Sequence, residues 1–285
     1  MRPPEWVSAV YFAYLLVAAG SMGLVPIRRR VRIMAASAAS LAGVGMLASL
    51  PCLATAQVVR DWAPGVFLLA GYWVPGLFSV APNARLERWL SRIDARLFAL
   101  EPVAAVGARA PRLILEVLEL SYLSCYALVP GIFAMLYWHP SADAALGTPL
   151  WHPSAGAALE NRFWTGVLLS EFMCYGLLPW LPSRPPRTLE GASAIDRRGL
   201  FTRRLNLWVL GHVSVQANTF PSGHVAGSLI AALIAWQALP IVGAAALFLA
   251  LLISVATVVG RYHYAADAVL GGLVALAVFA LVLMF

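Results

Sequence analysis

Apolar stretches of about 17–25 residues recur from one end of this chain to the other, the length an α-helix needs to cross a hydrocarbon core. In lipid only helices and closed barrels satisfy their own backbone groups. A barrel would show alternating segments of about ten residues, and this sequence shows continuous apolar runs instead. Of its 285 residues 61% are hydrophobic and 12% charged, with a mean hydropathy of +0.79. An average soluble domain is roughly 25% charged. The expected fold is therefore all-α, a polytopic membrane helical bundle.

Hydropathy places about eight spans, near 6–26, 33–54, 63–81, 111–138, 163–181, 222–239, 241–259 and 264–285. Pro64, Pro75 and Gly76 interrupt the third, the weakest of them. The run from Trp6 to Pro26 is too long for a signal-peptide core and is followed by "RRRVR", so it reads as a retained first helix. Between the third and fourth spans, "ARLERWLSRIDARLFAL" (84–100) spaces Leu86, Trp89, Leu90, Ile93, Leu97 and Leu100 helically, with Arg85, Arg88, Arg92 and Arg96 flanking. This pattern predicts a basic amphipathic helix in the membrane interface.

Every basic residue is arginine; there is no lysine, which excludes Schiff-base chemistry. The net charge of +7 points to anionic headgroups or phosphate, not nucleic acid. With eight spans, the loops of one side hold Arg28, Arg29, Arg30, Arg32, the arginines of 85–112 and of 184–204, and Arg261. The other side holds Arg2, Arg60 and Arg162. Positive loops stay in the cytoplasm. The expectation is a multi-pass protein of the cell membrane with both termini outside.

Cys52, Cys125 and Cys174 lie in apolar runs and read as free thiols. "WHPSADAAL" (138–146) returns as "WHPSAGAAL" (151–159); His139 and His152 have no third ligand nearby, so this is a local duplication. His212 reads as part of a loop. Glu116 and Glu119 are intramembrane carboxylates that need partners: a basic loop, a polar headgroup or a structural ion pair.

Three polar clusters break the apolar pattern: "LPSRPPR" (181–187), "FPSGH" (220–224) and "GRYHYAAD" (260–267). With eight spans they open on one membrane face. His263 and Asp267 are four apart and share a helix face; the carboxylate can fix the imidazole tautomer and raise its basicity. Ser222 can cap the sixth span. Gly223 leaves backbone N–H groups open to an anion at a helix N-terminus. Arg184 and Arg187, stiffened by prolines, suit bidentate phosphate contacts. The sum is a phosphate site that calls for neither metal nor cofactor. In it His263 attacks phosphorus, His224 protonates the leaving oxygen, and a phosphohistidine passes its phosphoryl group to water or an alcohol.

"RP", then "PSGH" about 40 residues on, then "H-x-x-x-D" about 40 further, resembles the type 2 phosphatidic acid phosphatase superfamily. "LPSRPPR" and "HYAAD" look closer to the branch with inositol phosphorylceramide synthases. The resemblance implies a six-helix phosphatase-type core, residues 61–285, behind about two extra N-terminal transmembrane helices within 1–60. It implies Arg184, Ser222 and Gly223 as phosphate ligands, His224 as general acid, His263 as nucleophile and Asp267 as its orienting carboxylate. Two positions depart from the family pattern: Leu177 stands where many members have lysine, and Thr257 where many have arginine. Arg187 and Arg261 are candidates to replace that charge. The expected activity is hydrolysis of a lipid phosphate or diphosphate. The alternatives are a lipid phosphotransferase with an alcohol acceptor such as inositol and, in another class, a non-catalytic lipid transporter or scramblase.

Overall fold

A computed structural model describes residues 1–51, 53–97, 102–138, 153–189 and 195–284. Twelve helices and one 3-10 turn form among these residues. The N-terminal helices are α1 (Pro3–Ser21), α2 (Ile27–Ala48) and α3 (Ala54–Gly76). Then come α4 (Ala84–Leu97), α5 (Pro102–Arg109), α6 (Arg112–Trp138) and α7 (Pro153–Tyr175). The short α8 (Pro186–Leu189) and α9 (Phe201–Val213) precede α10 (Gly223–Ala238), α11 (Pro240–Val259) and α12 (Ala265–Val282). The fold is all-α, a membrane helical bundle. His139, His152 and Cys52 lie outside the described residues, as does the end of the expected interfacial helix at 98–100.

A helix stands at each of the eight expected spans. Four of them, α2, α6, α11 and α12, are long and apolar enough to cross a membrane by length and composition, and α10 is apolar but shorter. Polar residues dilute two of the others: Gln57, Arg60 and Asp61 in α3, and Glu160, Asn161, Arg162 and Glu171 in α7. Helix α3 begins at Ala54, so the expected division at residue 60 falls inside it.

Helix α10 is the axis of the bundle, packed on α6, α7, α11 and α12. Small residues let neighbours approach closely in a membrane bundle, and α10 buries Ala226, Gly227, Ser228, Ala231, Ala232 and Ala235. Ile230 and Ile234 fill the space beside Phe133, Phe163 and Trp164. The N-terminal helices are fastened to α7 by a second core: Tyr11 stacks on Phe172 with ring centroids 4.0 Å apart, and Phe12 meets Phe67 edge-on. Tyr14 Oη donates to the Gly176 carbonyl at 2.5 Å. Where α1, α3 and α6 meet, Arg2 pairs with Asp61, Arg60 donates to Glu5 at 2.6 Å, and Tyr137 Oη donates to Asp61 at 3.3 Å.

The two carboxylates of α6 take the structural role. Glu116 accepts from the backbone N–H groups of Phe201 and Thr202, both at 3.0 Å, and so caps α9 from a neighbouring helix. Glu119 pairs with Arg203 at 3.2 Å and accepts from Asn206 Nδ2 at 2.7 Å and Tyr262 Oη at 2.5 Å. Arg203 also reaches Asp196 at 2.9 Å and the Gly260 carbonyl at 2.8 Å. His212 lies in α9, not in a loop, with its ring against Trp208. Cys125 and Cys174 are free thiols, the first half-buried and the second buried.

Removing one partner of a buried pair leaves the other charge uncompensated, at a cost of about 3–5 kcal/mol. Arg203→Ala is expected to lose that much. Thermal unfolding in detergent, with Arg204→Ala as an exposed control, measures it.

Candidate active site

Main-chain hydrogen bonds stitch the three polar clusters together. Asn218 N donates to the Ser183 carbonyl at 2.8 Å, joining the loop before α10 to the loop after α7. Ser222 N donates to the Asp267 carbonyl at 2.9 Å, joining the start of α10 to the first turn of α12. Arg187 N donates to the Arg261 carbonyl at 3.0 Å. Tyr262 N and His263 N both donate to the Thr257 carbonyl, at 2.9 and 3.0 Å, which closes the turn after α11. Arg261 sits in that turn with φ +58, a left-handed conformation that non-glycine residues rarely adopt.

Ser222 caps α10 and accepts from Val225 N at 3.5 Å. Asp267, in the first turn of α12, accepts from Tyr264 N at 3.0 Å with the same oxygen that meets His263 Nδ1 at 3.3 Å. One carboxylate thus caps its own helix and orients the imidazole. With Nδ1 engaged, Nε2 is the nitrogen left to react. The rings of His224 and His263 lie 5.7 Å apart, centre to centre, His224 in the first turn of α10 and His263 in the turn between α11 and α12, ahead of the helix that carries Asp267 and not on it as its spacing suggested. Tyr122 and Tyr126 each meet the His224 ring edge-on at 5.6 Å, and Cys125 Sγ is 3.7 Å from its Nδ1.

Both histidines line one cleft with Arg187. Tyr72, Tyr122, Tyr175 and Tyr262 supply its aromatic wall, and Ser214 and Thr219 its hydroxyls. No carboxylate lines it among the described residues. Burial, and behind it the charge of Arg187, pushes His263 down to about 3 from its ordinary value. Its imidazole is therefore neutral at neutral pH, with a lone pair available. Tyr262 stacks on Tyr122 at 3.7 Å, and the Arg203 guanidinium lies 4.8 Å from its ring centre. The structural network around Glu119 thereby reaches the residue beside His263.

Of the expected site residues, His224, His263, Asp267 and Arg187 come together. Four others stand elsewhere. Ser222 is fully buried as a cap, and Gly223 lies against the Tyr175 ring; neither lines the cleft. Arg184 does not line it either: its backbone N, Nε and Nη2 donate to Glu87 at 2.9, 3.0 and 3.0 Å. Arg261 pairs with Asp94 at 3.5 Å. The reason is α4, whose buried face carries Glu87, Leu90 and Asp94 onto these loops. The sequence showed its helical period but not that two acids on it faced two arginines about 97 and 167 residues away. The tyrosines of the cleft wall, Tyr72, Tyr122, Tyr175 and Tyr262, stand in four separate segments, and no spacing in the sequence joins them.

A family model described as the PAP2 superfamily matches residues 88–281. The chain belongs to the PAP2 superfamily. No curated protein and no solved structure matches the chain. The matched stretch starts inside α4 and leaves α1–α3 outside it. Membership in the PAP2 superfamily supports phosphatase-type phosphoryl transfer. All the clustered residues, 184–187, 222–224 and 261–267, fall within the match.

A Cβ on Gly271 would lie 2.5 Å from the Ser222 carbonyl oxygen. Gly271→Val is expected to part α12 from the start of α10 and with it the two histidines. The measurement is vanadate affinity, as a phosphate mimic, which should fall on the order of tenfold or more for a site that needs sub-ångström placement. Gly272→Ala, where the added atom meets nothing closer than 4.0 Å, is the control.

Proposed function

We propose that this PAP2-superfamily member hydrolyses a lipid phosphate or diphosphate through a phosphohistidine at His263. The observation that carries the reading is the pair of imidazoles facing one cleft, one backed by Asp267, with Arg187 between the site loops. Arg187 and the cleft hydroxyls would hold the non-bridging oxygens. His263 Nε2 forms a bond to phosphorus as the bond to the leaving oxygen breaks, and His224 supplies a proton to that oxygen, releasing a lipid alcohol from a monophosphate or a lipid monophosphate from a diphosphate. His224 then takes a proton from water, whose oxygen attacks phosphorus; the N–P bond breaks, inorganic phosphate leaves and His263 is restored. Asp267 keeps the imidazole in one tautomer throughout. Two imidazoles and a guanidinium are groups for charge stabilisation and proton transfer, so the scheme routes no step through a metal.

The site loops gather where the arginine-rich loops converge, and we place that end in the cytoplasm. On this reading α1 and α2 are an N-terminal addition to the catalytic core. The lipid substrate is met at the inner surface of the cell membrane.

Alkaline quenching of enzyme turning over a phosphorus-labelled lipid phosphate should trap label on the peptide carrying His263. His224→Ala should slow turnover by about 10²–10⁴-fold, the usual worth of a general acid–base group. His263→Ala should abolish both label and turnover. Inorganic phosphate as product, with or without added inositol or diacylglycerol, marks hydrolysis. A labelled phosphodiester would mark the phosphotransferase instead, and lipid flux that survives His263→Ala would mark a transporter. For orientation, Leu189→Cys should react with an impermeant thiol reagent from the cytoplasmic side only. Reaction from outside would reverse the placement.

A further inference from the structure

Helix α4 presents opposite charges on its two faces. Glu87, Leu90 and Asp94 are buried against the site loops. Glu87 holds Arg184 at three donors, the backbone N–H among them. Asp94 accepts from Ala265 N at 2.8 Å, at the start of α12, and pairs with Arg261. Leu90 is fully buried beside Tyr264 and Ala266. On the outer face, Arg85, Arg88, Arg92 and Arg96 fall at helical spacing and are exposed. None of the four makes an ion pair among the described residues, and Trp89 stands beside them 47% exposed.

We propose that the arginine face of α4 docks on anionic lipid headgroups, and that this docking loosens Glu87 and Asp94 from the site loops and frees Arg184 for the substrate phosphate. The proposal rests on the phosphatase reading and supplies its regulation. Nε and Nη2 form the edge of a guanidinium that binds carboxylate or phosphate bidentately. Glu87 occupies that edge of Arg184. Carboxylate and substrate phosphate therefore exclude one another there. The contact is open to solvent on one side only: the Arg184 side chain is 48% accessible, while Glu87 is buried. Four guanidiniums at an anionic surface add their attractions, enough to draw the helix from its seat. The occupant is a lipid surface because the stripe flanks a membrane bundle and carries an exposed tryptophan, a residue suited to the headgroup level.

The amides of Arg184 and Ala265 report the contact directly, since both donate to α4 carboxylates. Hydrogen exchange is measured by mass spectrometry on the full chain in nanodiscs of phosphatidylcholine alone, or of phosphatidylcholine and phosphatidylglycerol in equal parts. In the anionic discs both amides are expected to exchange faster, on the order of tenfold, as local opening becomes easier. An Arg88→Gln/Arg92→Gln variant should keep the slow exchange of the neutral discs in both lipids. Glu87→Gln should exchange fast at Arg184 in both. Equal exchange of the parent chain in the two lipids overturns the proposal, as does acceleration that persists in the double arginine variant. Phosphate release is read in parallel: the double arginine variant should lose any stimulation by phosphatidylglycerol. A chain that releases no phosphate in either disc sinks the phosphatase reading, while the exchange result still decides whether α4 responds to the surface.

Discussion

Main-chain hydrogen bonds between loops distant in sequence hold this site in place. Ser183 to Asn218, Ser222 to Asp267 and Arg187 to Arg261 form a closed circuit around the ends of α7, α10 and α11. Buried backbone groups must find partners, and at membrane depth no water supplies them. Irregular backbone at the mouth of a helical bundle is therefore tolerated only where such loops satisfy one another. The circuit fixes the separation of His224 and His263 before any side chain is considered. Small residues on α10 and α12 serve the same end by letting the backbones meet.

Charge is managed around that frame with little left over. Glu119 neutralises Arg203, Glu87 holds Arg184, and Asp94 holds Arg261. Asp267 serves a helix end and an imidazole at once. Arg187 lines the cleft and makes no ion pair among the described residues. A cleft with one guanidinium, neutral His263 and a wall of hydroxyls is suited to an anion that arrives with its own charge. The low-dielectric setting that makes stray charge expensive is what makes that attraction strong. Around Glu87 the Arg184 guanidinium holds the carboxyl below its ordinary value, so the latch on α4 stays ionised.

The all-α bundle and the contact between His263 and Asp267 were legible because their signals are local. Apolar runs announce spans whatever surrounds them. His263 and Asp267 are four residues apart, and Ser222 stands directly before the residues it caps, so spacing showed both contacts, although His263 lies in the turn before α12 and not on the helix. The cluster "PSGH" also stands at the start of α10, with Ser222 buried as its cap and Gly223 against the Tyr175 ring. That Arg184 and Arg261 pair with carboxylates was hidden for the converse reason. Their partners sit on α4, and an acidic residue on an amphipathic helix looks the same in sequence whether it meets solvent or an arginine.

The chain's linear order by itself determined a membrane bundle of helices, the order of three polar clusters along it, and the orientation of one imidazole by one carboxylate. Each follows from periodicity or spacing within a turn or a span. Tertiary packing alone decided which arginine enters the cleft, that tyrosines from α3, α6, α7 and the turn after α11 wall it, and that α4 bridges two site loops. Those choices depend on how helices rotate and cross, which is set by many weak contacts summed over the whole bundle and is written at no single stretch of the sequence.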